Sequence, residues 1–204
     1  MTRLKALSVI QCRDYILETR GPEGVELVKA AMAPDARDAV HDLQLLPIDW
    51  IEVGYGFEHS AAYDRVFGTG DGRAAQVMVG DVTRKHMTGL YRSVLSASDA
   101  KTILERSSRL WSRYYDRGES QMVWLSETSA IKRILGCPDM PLHHEWLTNP
   151  YFEELMRLCQ AQDIEVEHVK CVATGGDCCD TLIRWRMDSG GGGDSSMFRK
   201  STGP

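Results

Sequence analysis

The sequence lacks a hydrophobic run long enough to cross a membrane, which would take about 20 consecutive apolar residues. The apolar stretch near the N-terminus covers only residues 6–10 and is followed by Gln11, Cys12 and a charged pair. It is too short for the hydrophobic region of a signal peptide, so we interpret the segment up to Cys12 as a first β-strand. We therefore expect a cytoplasmic protein whose six cysteines are free thiols or metal ligands rather than disulfides.

An excess of positive charge is also missing. Lysine and arginine number 24 against 29 aspartate and glutamate, so the net charge is −5, and the basic residues are scattered along the chain. Nucleic-acid binding normally requires a basic face, and an anionic membrane surface attracts clustered basic residues. Charge therefore predicts neither nucleic acid nor a membrane surface as a partner.

Catalytic motifs are absent as well. The chain has no Gly-x-Ser-x-Gly, no His-Glu-x-x-His and no carboxylate pair at a defined spacing. The glycine-rich residues 68–72 lack the Lys-Ser/Thr of a phosphate-binding loop. Because no nucleophile stands beside a base, we expect a protein that is not an enzyme.

What the sequence does contain is a change of period along the chain. Apolar residues recur at helical spacing over residues 73–87 and 98–115, whereas residues 121–128 and 165–187 alternate as strands do. This order predicts an α+β fold, with a helical N-terminal half packed on a small antiparallel sheet that a C-terminal β-hairpin closes. We expect one domain over residues 1–188 and a disordered Gly/Ser-rich tail over 189–204.

Three cysteines and a histidine surround the Gly-Gly turn of that hairpin. His168, Cys171, Cys178 and Cys179 are candidate ligands of a zinc ion, which prefers four tetrahedral nitrogen and sulfur ligands. Further ligands would have to come from outside the hairpin. The candidates are Cys137, Cys159 and His143-His144, although we expect the two histidines and Glu145 in an exposed loop.

Strand alternation bears on this metal site. It directs Val169, Cys171, Ile183 and Trp185 into the core and turns His168 away from Cys171. The alternative to a metal site is that Cys171 and Cys159 are small buried hydrophobic residues. Cys178 and Cys179 would then be turn residues without a function.

Residues 63–185 carry motifs of a known family. These are Tyr63-Asp-Arg-Val-Phe-Gly68, Gly89-Leu-Tyr-Arg-Ser-Val94, Leu110-Trp-Ser-Arg-Tyr-Tyr-Asp-Arg-Gly118 and Cys171-(x6)-Cys178 followed by Arg184-Trp185. With them the chain resembles an uncharacterised family abundant in myxobacteria, similar to the four-vinyl-reductase-like (hydrocarbon-binding) domains. Their fold is related to haem-nitric-oxide-binding domains. Phenol-sensing members hold zinc in a Glu-x-x-Cys-x7-Cys hairpin, which Cys171 and Cys179 match, with His168 where the glutamate stands.

The same resemblance bears on haem. Tyr91-Arg-Ser93 starts like the Tyr-x-Ser-x-Arg clamp of haem gas sensors, but Leu95 stands where the arginine would bind a propionate. His59 would have to serve as the axial ligand, and we interpret it as a surface-helix histidine. The residues thus argue against haem.

The resemblance and an aromatic-rich helix together suggest a role. We expect Leu110, Trp111, Tyr114, Tyr115 and Trp124 to line a pocket for a hydrophobic small molecule. The leading hypothesis is a non-enzymatic sensor or ligand-binding module that signals to a partner protein or acts as a homodimer. The alternative is a protein-interaction or dimerisation module whose pocket has filled in, which would show a sizeable exposed apolar patch.

Overall fold

The predicted α+β fold is shown by the structure, a computed structural model that describes residues 1–42, 44–88, 99–140 and 144–187. Helices fill the N-terminal half, and a four-stranded antiparallel sheet lies in the C-terminal half. The predicted tail, Tyr91-Arg-Ser93, Leu95 and His143 fall outside the described residues.

The N-terminal half is a helical layer with one short ribbon. Strands β1 and β2 pair antiparallel, with Leu4 opposite Ile51. The elements in chain order are β1 (Arg3–Lys5), α1 (Ala6–Ala31), α2 (Pro34–Arg37), a π-helical turn (Asp38–Asp42), β2 (Trp50–Glu52), α3 (Val53–Phe67) and α4 (Arg73–Thr88).

The prediction of a strand up to Cys12 is wrong beyond Lys5, because helix α1 begins at Ala6. Ala6, Val9 and Ile16 are buried at steps of three and seven residues, which is one face of a helix. The apolar stretch considered alone was too short to distinguish this period from that of a strand. The helix kinks at Gly21, whose φ of 69° lies in the left-handed region just before Pro22.

The C-terminal half carries the sheet and the helix that covers it. Its strands lie in the order β3-β4-β6-β5, and every neighbouring pair is antiparallel. The elements are α5 (Ala100–Arg109), α6 (Trp111–Tyr114), β3 (Glu119–Ser126), β4 (Ser129–Leu135), a π-helical turn (His144–Thr148), α7 (Asn149–Leu158), β5 (Ala161–Lys170), a 3₁₀ turn (Val172–Thr174) and β6 (Cys179–Met187).

The β5–β6 hairpin departs from simple alternation. His168 pairs with Thr181 and Lys170 with Asp180, so Val169 is an extra residue and forms a β-bulge. The extra residue reverses the sides that follow it. Val169, which we expected in the core, is 47% exposed on the same side as the exposed Glu165 and Glu167, whereas Ile183 and Trp185 are buried as predicted.

The described residues form two apolar cores. The first lies among α1, α3, α4 and the β1–β2 ribbon, and the second lies between the sheet and helices α5 and α7. None of the helices in the described part of the chain combines the length and apolar character of a membrane span.

Candidate functional site

A cavity of about 360 Å³ lies where the two cores meet. Its wall comes from both halves of the fold, with β1, α1, α3 and α4 on one side and α5, α6, β4 and α7 on the other. Most of the lining side chains are apolar or aromatic, and none of the described ones is an aspartate or a glutamate. Such a concave, largely apolar space with few polar groups is typical of a small-molecule site.

The structure places four of the five predicted pocket residues in this wall, namely Leu110, Trp111, Tyr114 and Tyr115. The fifth, Trp124, lies elsewhere. It meets Trp185 edge to face in the second core at a ring distance of 6.3 Å, and the Lys101 ammonium lies over its ring. Residue type alone could not separate the two sites, because both bury aromatic rings.

The aromatic part of the wall has a fixed geometry. Trp111 and Tyr115 are stacked, with ring centroids 4.0 Å apart and an angle of 20° between the planes. The Trp111 indole nitrogen donates a hydrogen bond to the Arg117 carbonyl oxygen at 3.0 Å. This bond fixes the orientation of the indole ring. Burial raises the pKa of Tyr115, which therefore keeps its proton at neutral pH.

His59 also lines the cavity, and our assignment of it to a helix surface is wrong. Helix α3 packs between α1, α2 and α4, so His59 is fully buried. Both ring nitrogens lack a hydrogen-bond partner among the described residues. Burial, with smaller contributions from His41 and Arg13, lowers the pKa of His59 to about 3, and the imidazole is neutral.

Lys132 is a cavity residue that the sequence reasoning missed. It lies on β4 between buried Ala130 and Ile134, on the face that points to the core, and is only 4% exposed. Alternation along this strand would have found it, since a lysine stands there in a row of inward-facing positions.

The hairpin forms a second candidate site, a cluster of metal-ligand side chains. His168, Cys171 and Cys179 each offer a ligand atom, and these atoms all lie within 4.8 Å of one another. The two sulfur atoms are 3.9 Å apart. Two sulfurs on one tetrahedral zinc ion, each at the usual bond length, would be separated by about 3.8 Å. The sulfur separation therefore matches a zinc ion bound by both thiols, with the His168 ring as the third ligand group nearby.

Strand alternation predicted that His168 would face away from Cys171, and the bulge at Val169 overturns that prediction. With one extra residue between them, the two side chains reach the same side of the hairpin. The Nε2 atom of His168 is buried and has no hydrogen-bond partner among the described residues, while Nδ1 lies 3.7 Å from a Glu145 carboxylate oxygen. A carboxylate behind a histidine orients the ring toward a metal.

His144 differs from its predicted exposed position. It is fully buried, and its ring packs edge to face on His168 at 5.3 Å. Cys178 does not join the cluster, because its thiol points toward the Asp180 carboxylate at 3.5 Å. Burial, with Cys171 as a further neighbour, raises the pKa of Cys179 to about 11, so this thiol stays protonated at neutral pH unless a cation displaces the proton.

Comparison with solved structures identifies similar folds. An H-NOX protein from S. oneidensis in the Fe(II)NO state has a TM-score of 0.66 at 12% identity, covering 90% of this chain and 99% of its own. An unliganded Fe(II) H-NOX protein from K. algicida has a TM-score of 0.65 at 10% identity, and the match covers 91% of this chain and 98% of the K. algicida chain. An oxygen-binding H-NOX domain related to soluble guanylate cyclases has a TM-score of 0.61 at 10% identity, and the match covers 98% of this chain and 100% of that domain.

These similarities concern the fold. They confirm the expected relation in fold to haem-nitric-oxide-binding domains, over nearly the full length of each chain compared. No protein-family model matches the sequence, and no curated protein matches it.

Proposed function

We propose that this chain is a non-enzymatic ligand-sensing module that takes a hydrophobic small molecule into the cavity between its helical half and its sheet half. The cavity carries the proposal, because a concave and largely apolar space of about 360 Å³ offers an apolar molecule contacts on several sides. The resemblance to four-vinyl-reductase-like, hydrocarbon-binding domains supports the same ligand class.

The position of the cavity suggests how binding becomes a signal. A ligand there touches α1, α3 and α4 on one side and β4, α6 and α7 on the other, so it links the two cores. A ligand shifts a conformational equilibrium only through contacts that differ between the states. Contacts with both halves supply such a difference if the halves move relative to one another. A cytoplasmic partner protein or a second copy would then detect the new arrangement of the halves.

The dimerisation alternative required a pocket that has filled in. The cavity of about 360 Å³ supports the ligand-binding hypothesis instead. The exposed large apolar residues among those described are spread over many elements, from Leu17 on α1 to Met187 on β6. Light scattering tests the alternative directly, and a dimer that binds no apolar probe would favour it.

Haem is the cofactor that the fold comparison suggests, since one of the similar structures comes from a study of haem distortion in the H-NOX family. His59 fits the axial requirement, because it is a buried neutral imidazole without a hydrogen-bond partner among the described residues. The clamp does not match in sequence, since Leu95 stands where its arginine would be, and the described residues that line the cavity include no arginine. We therefore propose a ligand other than haem. A Soret band in the purified protein that His59→Leu abolishes would overturn this choice.

A change that fills the cavity tests the main proposal. Ser107 is a half-buried residue of the cavity wall, and Ser107→Phe would occupy the space. With 2-naphthylmethanol as a neutral apolar probe, we expect calorimetry to show binding to the parent protein and a loss of affinity of about tenfold or more in the variant, the order expected when a well-packed ligand group is excluded.

The matched control is Ser112→Phe, which adds the same ring at an exposed position on α6 that does not line the cavity. We expect this control to bind the probe like the parent. Native mass spectrometry of freshly purified protein gives a second measurement, because a retained organic molecule would add to the mass. The proposal fails if the parent neither retains a molecule nor binds the probe.

We further propose that His168, Cys171 and Cys179 hold a structural zinc ion. The sulfur separation and the unpartnered Nε2 atom of His168 support it. The ion would displace protons from both thiols and tie β5 to β6 beside the turn. A tetrahedral ion would take its fourth ligand from water or from a residue beyond this group.

Cys179→Ser should lower zinc affinity by at least about tenfold, since it removes one of three protein ligands and even outer partners of a zinc site are worth about 10–100-fold. Metal content by elemental mass spectrometry, after dialysis against a weak chelator, measures the loss. Cys178→Ser is the control, because the Cys178 thiol faces Asp180 instead of the cluster. This variant should keep its zinc. Equal zinc content in both variants would place any metal elsewhere.

A further inference from the structure

Lys132 has no acidic partner in the part of the chain that the structure describes, although it is buried at the cavity wall. Its ammonium nitrogen lies 4.0 Å from the centroid of the Phe152 ring and 5.2 Å from that of Trp111. None of the ion pairs formed by the described residues includes it. A buried charge is normally paired, because removing it from water is costly.

The remainder of the cavity wall reinforces this imbalance of charge. The described lining residues include one lysine and two histidines and no carboxylate. Two aromatic faces near the amine stabilise a cation only partly, with energies well below that of an ion pair in the same surroundings. The described part of the wall therefore offers no anion close to Lys132.

We infer that the ligand of this cavity is an apolar molecule with a carboxylate head, and that Lys132 is the residue that recognises the carboxylate. The inference rests on the proposed function, because it specifies the ligand class of the same cavity. The apolar body would pack among the lining aromatic and aliphatic side chains, and the carboxylate would supply the missing counter-ion. A charge-assisted hydrogen bond in a buried site gives both affinity and selectivity for the acid.

The protonation of Lys132 is consistent with an amine that has no counter-ion among the described residues, since burial lowers its pKa to about 7. Other titratable groups face the cavity from the surrounding elements. Burial raises the pKa of Cys12 to about 12 and holds that of His59 near 3, so both stay neutral at pH 8. Tyr115 and Tyr151 have pKa values raised by burial. Tyr114 and the exposed His86 also border the space.

The test compares two probes of nearly equal shape, 2-naphthoic acid and 2-naphthylmethanol, by calorimetry with the full chain. We expect the parent protein to bind the acid about tenfold or more tightly than the alcohol, the order of a hydrogen bond to a charged group. Lys132→Met keeps the length of the side chain and removes the charge. It should lose the preference for the acid and keep the affinity for the alcohol.

Lys101→Met is the matched control, because Lys101 also lies over an aromatic ring, 5.0 Å from the centroid of Trp124, but outside the cavity. It should behave like the parent. Equal affinities of acid and alcohol for the parent would overturn the inference and leave the proposed function standing, whereas binding of neither probe would overturn the proposed function itself. An acid preference that survives in Lys132→Met would assign recognition to another group and also overturn the inference.

Proton uptake by the parent protein gives a measurement that does not depend on the variant folding. At pH 8 the amine is mostly neutral, so binding of a carboxylate should draw on the order of one proton per ligand from the buffer. At pH 6 the amine already holds its proton and the uptake should fall. Calorimetry in buffers of different ionisation enthalpy measures this number. No uptake at pH 8 during acid binding would contradict the assignment.

Discussion

Phe152→Ala is expected to lower the free energy of unfolding by about 3–5 kcal/mol, the usual cost of removing a fully buried phenylalanine. Phe152 is 0% exposed and lies in the second core, where it lines the cavity and the Lys132 ammonium lies over its ring. The change therefore removes apolar contacts and enlarges an existing cavity. It also removes one of two aromatic faces near a buried amine. Denaturant unfolding measures the loss.

Two controls make this expectation specific. Phe152→Leu keeps most of the buried volume and should cost about 1–2 kcal/mol. Phe57→Ala removes a partly exposed ring that contacts Trp146 on the surface of the helical half, and its cost should be smaller than that of Phe152→Ala. A loss under about 1 kcal/mol for Phe152→Ala would mean that the ring is not packed between sheet and cavity.

Asp64→Ala is expected to cost about 2–4 kcal/mol, because it removes the acceptor for the N-terminus of helix α4. Asp64 is fully buried at the end of α3. Its carboxylate accepts backbone N–H bonds from Gly72 at 2.9 Å, Ala74 at 2.7 Å and Ala75 at 3.3 Å. Without the carboxylate these donors are left without an acceptor away from water, and α4 forms one wall of the cavity.

The control for this change is Asp71→Ala on the exposed turn just before α4. Asp71 accepts one backbone hydrogen bond from Arg73 at the surface, so its removal should change stability by about 0.5 kcal/mol or less. Thermal unfolding of the two variants side by side separates the buried acceptor from the exposed one. Similar melting temperatures for both would contradict the role given to Asp64.

The sequence predicted the parts of the fold that repeat a simple period over many residues. Helix α4 and the inward positions Ile183 and Trp185 follow directly from helical and strand spacing. The start of α1 was missed because five apolar residues fit either period. Buried residues farther along, of which Ile16 is the first, show that the helical period continues.

The candidate sites were harder to predict, because each depends on one local exception or one distant neighbour. His168 reaches Cys171 only through the extra residue Val169, and a bulge is not visible in the alternation of side chains. His59 is buried because three helices surround α3, which is a tertiary fact. Lys132 could have been found, since it occupies an inward position of β4, but a lysine is normally expected at the surface.

The bulge at Val169 also changes the exposed edge of the sheet. Strand β5 is an outer strand of the sheet, and outer strands are templates on which another chain can add. Its register is interrupted twice, once at each end, and Asp163 adopts a left-handed φ of 48° at the first interruption. Exposed carboxylates of Asp163 and Glu165 lie along it, paired with arginines of β6. An interrupted edge with charged side chains of this kind disfavours the addition of another strand to β5.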